Sequence, residues 1–447
     1  MIRLDAIRDC MDGVIPGMLG TCDAEGVPNI AELSQVQFVD DQHVALTYQF
    51  FNKTRRNVLA NPFAKLLLTS PQTLQRYRLT LEYLRTESAG PLFEAMKAKL
   101  AGIASHTGMS GVFRLLGADI YRVHAIEALC CPTLPPPLPA CNPLVALRRG
   151  IGRLQQAADL DALLVAALDA LELELGIDHA MILLLDADSE RLYTIASRGY
   201  PHSGVGSEIA IGEGVIGVAA RERTAIRIGH MTAEYGYQRA VRSALRDSAE
   251  RSGVPSGLET EIPLPGLASA RSQLAVPVLA FRRLLGVLYV ESVLDEHFGY
   301  DDEDLLLSFA AQFGLALQWL QQSGEEDDDA DDALAPPAAA LPALEVRHYA
   351  FDHSVFLGED YLIKGVAGAI LYVLLSEYLA SGRSHFSNRE LRLDPRIRLS
   401  DVSDNLEARL VLLRRRLDER GAGIRLLPAG RGRLQLCVAG ALRLSEL

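Results

Sequence analysis

Two stretches of this 447-residue chain cannot pack as regular elements, and they decide how the rest can fold. The first, CCPTLPPPLPACNP at residues 130–143, holds six prolines, each of which removes a backbone donor and fixes φ, so it runs extended. The second, residues 323–343, joins the mutually repelling Glu325, Glu326, Asp327, Asp328, Asp329, Asp331 and Asp332 to an Ala/Pro run with little to bury. Apolar periodicity resumes on either side of each. The spacing therefore predicts an α+β multidomain protein with compact units at 1–129, 144–322 and 344–447.

Hydrophobic residues make up 49% and charged residues 23%, which excludes a disordered or disulfide-scaffold protein. The net charge of −13 argues against nucleic acid coating the whole length. From Leu344 onward, however, 16 Lys and Arg face 13 Asp and Glu, so this last unit carries +3 and the remainder −16. No apolar run approaches a transmembrane length and the opening MIRLDAIRDCMDG lacks a secretory pattern, which predicts a soluble, cytoplasmic protein without a membrane partner. None of the six cysteines forms a CxxC pair, as expected of unpaired thiols in a reducing compartment.

In the first unit GMLGTCDAEGVPNIAEL reads as two strands about a turn at Asp23 to Gly26, and HVALTYQF as a third, giving a β-meander. FNKTRRNVLANPFAKLLLTS then places Lys53, Thr54, Arg55 and Arg56 at a helix start, where free N–H groups and side-chain charge suit a phosphate. These residues resemble the FMN-binding-type split β-barrel of the pyridoxamine phosphate oxidase family. The resemblance implies Gln49, Lys53, Thr54, Arg55, Arg56 and Asn57 as contacts to FMN; related barrels hold a deazaflavin or haem, and some hold nothing. A solvated helix start is the competing reading of Arg55 and Arg56. No residue here stands out as a general base or nucleophile, so no catalytic residue is assigned.

Cys130, Cys131 and Cys141 lie in the proline-rich strip, where three thiolates could serve a soft metal or an iron-sulfur cluster. A tetrahedral site needs a fourth ligand, and incidental cysteines are the competing reading.

In the second unit LDALLVAALDALELELGI predicts a helix and HAMILLLDADSERLYTIASRG a strand pair. SQLAVPVLAFRRLLGVLYVES predicts two strands about a turn at Arg282 and Arg283, and YDDEDLLLSFAAQFGLALQWLQQ a closing helix with an acidic start. With the turn IGEGVIGVAA, this order is similar to a GAF domain, an α/β sensor fold that holds a small ligand. The long insert from His230 to Ala270 is a candidate lid, in which His230, Tyr235, Tyr237 and Arg239 are candidate ligand contacts; an ordinary surface excursion is the alternative. The flanking apolar helices suit a homodimer.

The third unit reads as a β-ribbon, three helical stretches and a closing hairpin. Leu406, Leu410, Leu413 and Leu417 define a core face on the third helix, and Asn405, Arg409, Arg416 and Arg420 the other face. A basic helix followed by a basic hairpin suits double-stranded DNA. The arrangement resembles the winged helix-turn-helix domain of response regulators, which implies Ser403, Asn405, Arg409, Arg415 and Arg416 on a recognition helix and Arg431 and Arg433 on the wing. No phosphoacceptor domain accompanies it. The expected protein is a one-component, ligand- or redox-responsive transcriptional regulator, and the alternative a flavin-dependent oxidoreductase with regulatory modules.

Overall fold

A computed structural model describes residues 2–33, 35–49, 53–106, 115–136, 142–187, 189–229, 262–267, 269–323, 341–397, 399, 406–421, 423–430 and 432–447. In the N-terminal domain β1 (Gly17–Cys22), β2 (Pro28–Leu33), β3 (Val36–Asp40), β4 (His43–Tyr48), β5 (Phe63–Thr69), β6 (Arg76–Glu87) and β7 (Gly117–Ala128) form one antiparallel sheet. Alternation along these strands turns Leu19, Leu46, Leu66, Leu79 and Leu81 inward. The Asp23 carboxylate closes the β1–β2 turn by accepting from the Val27 N–H at 2.7 Å, while Gly26 supplies φ +82°. The expected meander breaks after β2. The strand order β2-β1-β5-β6-β7-β4-β3 puts β2 and β3 at opposite edges although Leu33 and Val36 are only three positions apart, so the sheet must roll up until its two edges lie side by side, as in a barrel. Helix α1 (Lys53–Ala60) links β4 to β5, and α2 (Pro91–His106) precedes β7.

The central domain opens with α3 (Pro143–Leu154), capped by the Asn142 side chain, and α4 (Leu160–Leu173), capped by Asp159. Strands β8 (Ala180–Asp186), β9 (Arg191–Arg198), β10 (Glu208–Ala210), β11 (Ile226–Ile228), β12 (Ser272–Ala280) and β13 (Arg283–Ser292) form a sheet in the order β10-β9-β8-β13-β12-β11. The β12–β13 turn falls at Phe281 and Arg282, both at positive φ, one residue before the expected pair. Helices α3, α4 and α6 (Tyr300–Ser323) cover one face and α5 (Gly214–Glu222) the other, so the strands are apolar on both sides. Gly286 is required where β13 meets β8, because a Cβ there would sit 2.0 Å from the Leu183 carbonyl oxygen.

The C-terminal domain contains β14 (Leu341–Tyr349), β15 (Ser354–Leu357), β16 (Asp360–Ile363), α7 (Gly365–Ser381), β17 (His385–Ser387), α8 (Asn388–Leu393), α9 (Leu406–Arg420), β18 (Ile424–Pro428), β19 (Arg433–Val438) and β20 (Gly440–Glu446). Ser387 and Glu390 form a reciprocal cap at the start of α8. Strands β17, β19 and β18 make a small sheet. The last strand, which the sequence reading did not separate from the hairpin, returns to lie parallel to β14 in a second sheet of order β16-β15-β14-β20. Among the described residues no helix is long and apolar enough to cross a membrane.

Candidate functional site

Gln49, Thr54 and Arg55 line a cleft of about 170 Å³ between β1, β2, β4 and α1. Arg55 enters it from the first turn of α1. Its guanidinium donates to Asp119 at 2.7 Å and to the Thr86 hydroxyl at 2.9 Å, and lies 4.6 Å from the Tyr48 ring centre. Burial pushes the Asp119 carboxyl up, against the Thr86 hydrogen bond and Arg55, which favour its charged form. Thr54 accepts from Asn29 at 2.9 Å. The rest of the expected contact set lies elsewhere: Asn57 is buried and donates to Thr21, Arg56 is exposed, and Lys53 does not line the cleft. The described lining thus sets one guanidinium, Arg55, against two carboxylates, Glu32 and Asp119. That donor set does not suit the phosphate of FMN, which would have to replace Asp119 as the partner of Arg55.

Of the candidate thiols, Cys130 is exposed, Cys131 lies 3.8 Å from the Gln75 amide nitrogen, and Cys141 falls outside the described residues. No group of three or more potential metal ligands occurs among the described residues. His230, Tyr235, Tyr237 and Arg239 also lie outside them. What is described is the exit of that insert. Glu291, buried on β13, accepts from the Leu267 N–H at 2.7 Å and from the Tyr289 hydroxyl at 3.0 Å. Burial pushes this carboxyl up, opposed by those bonds. The sequence reading missed Glu291, whose only signal is a charge ending the apolar strand LLGVLYVES.

Between the first two domains lies a second polar cluster that sequence reasoning missed. Arg227 of β11 is 4% exposed in its side chain and donates to Asp12 at 2.8 Å and to Glu303 at 2.9 Å. Its guanidinium stacks 4.2 Å from the ring centre of buried Tyr300, whose hydroxyl accepts from the Phe38 N–H at 3.2 Å. Lys99 of α2, also buried, donates to the Met11 carbonyl at 3.1 Å. Burial, aided by Arg227, brings its pKa down to about 8.

Helix α9 carries the correction of greatest consequence. Arg409 and Arg416 were expected opposite the leucines on the face turned to DNA, yet both are 6% exposed. Arg409 pairs with Asp186 at 2.9 Å and covers the Tyr193 ring at 4.5 Å, and Arg416 donates to the Leu362 carbonyl at 3.1 Å. Arg415 grips Asp161 at 2.7 Å and the Ile195 carbonyl at 3.0 Å. Aromatic and carboxylate partners let these cations be buried where water would otherwise hold them. Ser403, Asn405 and Arg431 lie outside the described residues, and Arg433 begins β19, half-buried.

The family model for the GAF domain matches residues 157–318, and that for pyridoxamine 5'-phosphate oxidase matches residues 4–123. The chain carries a pyridoxamine 5'-phosphate oxidase-like domain followed by a GAF domain. The GAF part is similar to the GAF domain of an Acinetobacter phosphoenolpyruvate-protein phosphotransferase, at 23% identity over 41% of this chain and 97% of that one, TM-score 0.31. The oxidase-like domain is similar to an FMN-binding protein of Syntrophomonas wolfei subsp. wolfei, at 17% identity over 29% of this chain and 86% of that one, TM-score 0.25. It is also similar to HupZ of Group A Streptococcus, at 26% identity over 29% of this chain and 94% of that one, TM-score 0.24. No curated protein matches the chain. On this assignment Arg227, Tyr300 and Glu303 are the GAF side of the first junction, and Asp161 and Asp186 the GAF side of the second.

Proposed function

We propose that the chain is a one-component transcriptional regulator: its oxidase-like and GAF domains sense a small molecule or redox state, and its C-terminal domain is a winged helix-turn-helix that binds double-stranded DNA. The observation that carries this reading is the C-terminal order of α7, β17, α8 and α9 followed by the β18–β19 hairpin, all set beside a second sheet. In such an order the third helix suits a major groove and the hairpin reaches adjacent phosphates. Exposed Arg389 and Arg425 and the +3 charge of this unit add to the support. Leu144, Leu315 and Trp319, exposed on α3 and α6, support pairing of two copies. The rival reading, a flavin-dependent oxidoreductase, needs an anion seat that Asp119 fills.

Crosslinking the full chain to DNA in growing cells, followed by sequencing of the recovered fragments, tests the reading. Discrete promoter sites are expected, lost when Arg431→Ala and Arg433→Ala are combined. Recovery of uniform background from the unaltered chain would overturn it.

A further inference from the structure

We infer that the GAF domain acts as a built-in competitor for the DNA-binding helix, with Asp161 and Asp186 standing where phosphates would otherwise meet Arg415 and Arg409. This inference rests on the DNA-binding reading above and names its regulation.

Helix α9 is covered along most of its length, with only Asp418, Glu419 and Arg420 at its end exposed. Leu406, Leu410, Leu413 and Leu417 are buried within the C-terminal apolar core, and the opposite side is covered by the GAF domain, so that nine of the helix's residues are buried. The coverage is electrostatic as well as apolar. Asp161 sits in the first turn of α4, where the dipole favours its charge, and receives two N–H groups of Arg415 at 2.7 and 3.1 Å, with Arg414 at 4.0 Å. Asp186 ends β8. Burial would raise its pKa, but Arg409 and hydrogen bonds from Ser189 outweigh that and hold it below the ordinary carboxylate value. Two further contacts widen the seam, Lys364 to Glu208 at 3.3 Å and Ser203 to Glu419. A carboxylate on a guanidinium is the same charge-assisted pairing that a DNA phosphate makes, so one partner excludes the other.

The seam also touches the one part of the GAF domain that leads from its long insert. Gly206 is packed so closely that a Cβ would lie 2.8 Å from Ile262 and 3.6 Å from Arg416 of α9, and one at Gly204 would strike Pro265 at 2.1 Å. Leu267, further along the same exit, is pinned by Glu291. A ligand that moves residues 262–267 therefore presses on the loop against which α9 rests.

Hydrogen–deuterium exchange of the full-length protein and the combined Asp161→Asn and Asp186→Asn variant tests the inference, alongside binding of a mixed-sequence duplex at low salt. Amides of residues 406–420 are expected to exchange faster and the duplex to bind at least about tenfold tighter in the variant, as a loss of roughly 1.4 kcal/mol of closure requires. Amides of β12 and β13 should stay protected, which separates opening from unfolding of the GAF domain. The Asp161→Glu and Asp186→Glu pair should remain closed. Unchanged exchange in 406–420 overturns the inference. Tight duplex binding by the unaltered chain with α9 still protected also overturns it, and leaves the DNA-binding reading standing. Faster exchange without duplex binding keeps the closure and removes that reading instead.

Discussion

The two junctions of this molecule use the same chemistry, arginine against carboxylate beside an aromatic ring, and each combines a deep pair with shallower ones. Between the oxidase-like and GAF domains Arg227 is 4% exposed and faces two acids that are 15% and 21% exposed. Between the GAF and C-terminal domains Arg409 is nearly as deep, 7% exposed against 22% for Asp186, whereas Arg415 is 21% exposed and its partner Asp161 38%. Removing one partner of a deep pair strands a buried charge, whereas removing one partner of a shallow pair leaves a charge that water can reach. Depth therefore decides which pairs hold a junction shut and which can most readily exchange partners.

The largest effect tests that contrast directly. Arg227→Ala leaves Asp12 and Glu303 uncompensated and is expected to lower stability by about 3–5 kcal/mol in urea denaturation. Arg415→Ala, at a partly exposed pair, is expected to lower it by about 1 kcal/mol. Equal losses in the two variants would erase the distinction.

A pH series sharpens it. Lys99 titrates near pH 8 when folded and near 10.5 when unfolded, so above pH 8 the unfolded chain binds more protons and stability rises with pH. The rise is at most about 1.4 kcal/mol per pH unit and is expected to vanish in Lys99→Met, read as the pH 7.5–9.5 dependence of the urea midpoint. A variant that keeps the unaltered slope would place the titration elsewhere. The smallest effect belongs to Tyr300→Phe, which removes the acceptor for the Phe38 N–H and should lower stability by about 1 kcal/mol or less.

Much of this architecture was legible because its signals are local. The phrase GEGVIGVAA, the Val-Pro-Val strand centre and the leucine spacing of α9 each report a period or a turn within a few residues. The junctions were not legible, because each depends on a partner far along the chain. Arg227 alternates in a strand like any edge residue, and its meaning comes from Asp12, 215 positions away. Arg409 and Arg416 read as facing DNA because they recur opposite the leucines, and only the packed domains supply the ring, carboxylate and carbonyl that make burial tolerable. Arg55 was expected at a helix start, and it does stand in the first turn of α1, but its partner Asp119 lies 64 residues on.

The parallel pairing of β20 with β14 has a mechanical consequence. Residues from Leu341 to His348 are matched against Gly440 to Glu446, so the strand by which the chain enters the C-terminal domain is flanked by β15 on one side and β20 on the other. A pull along the acidic segment then loads both ladders in shear, with the bonds sharing the force, and does not peel them one at a time. Under tension the domain should move as a solid body while its own fold stays intact.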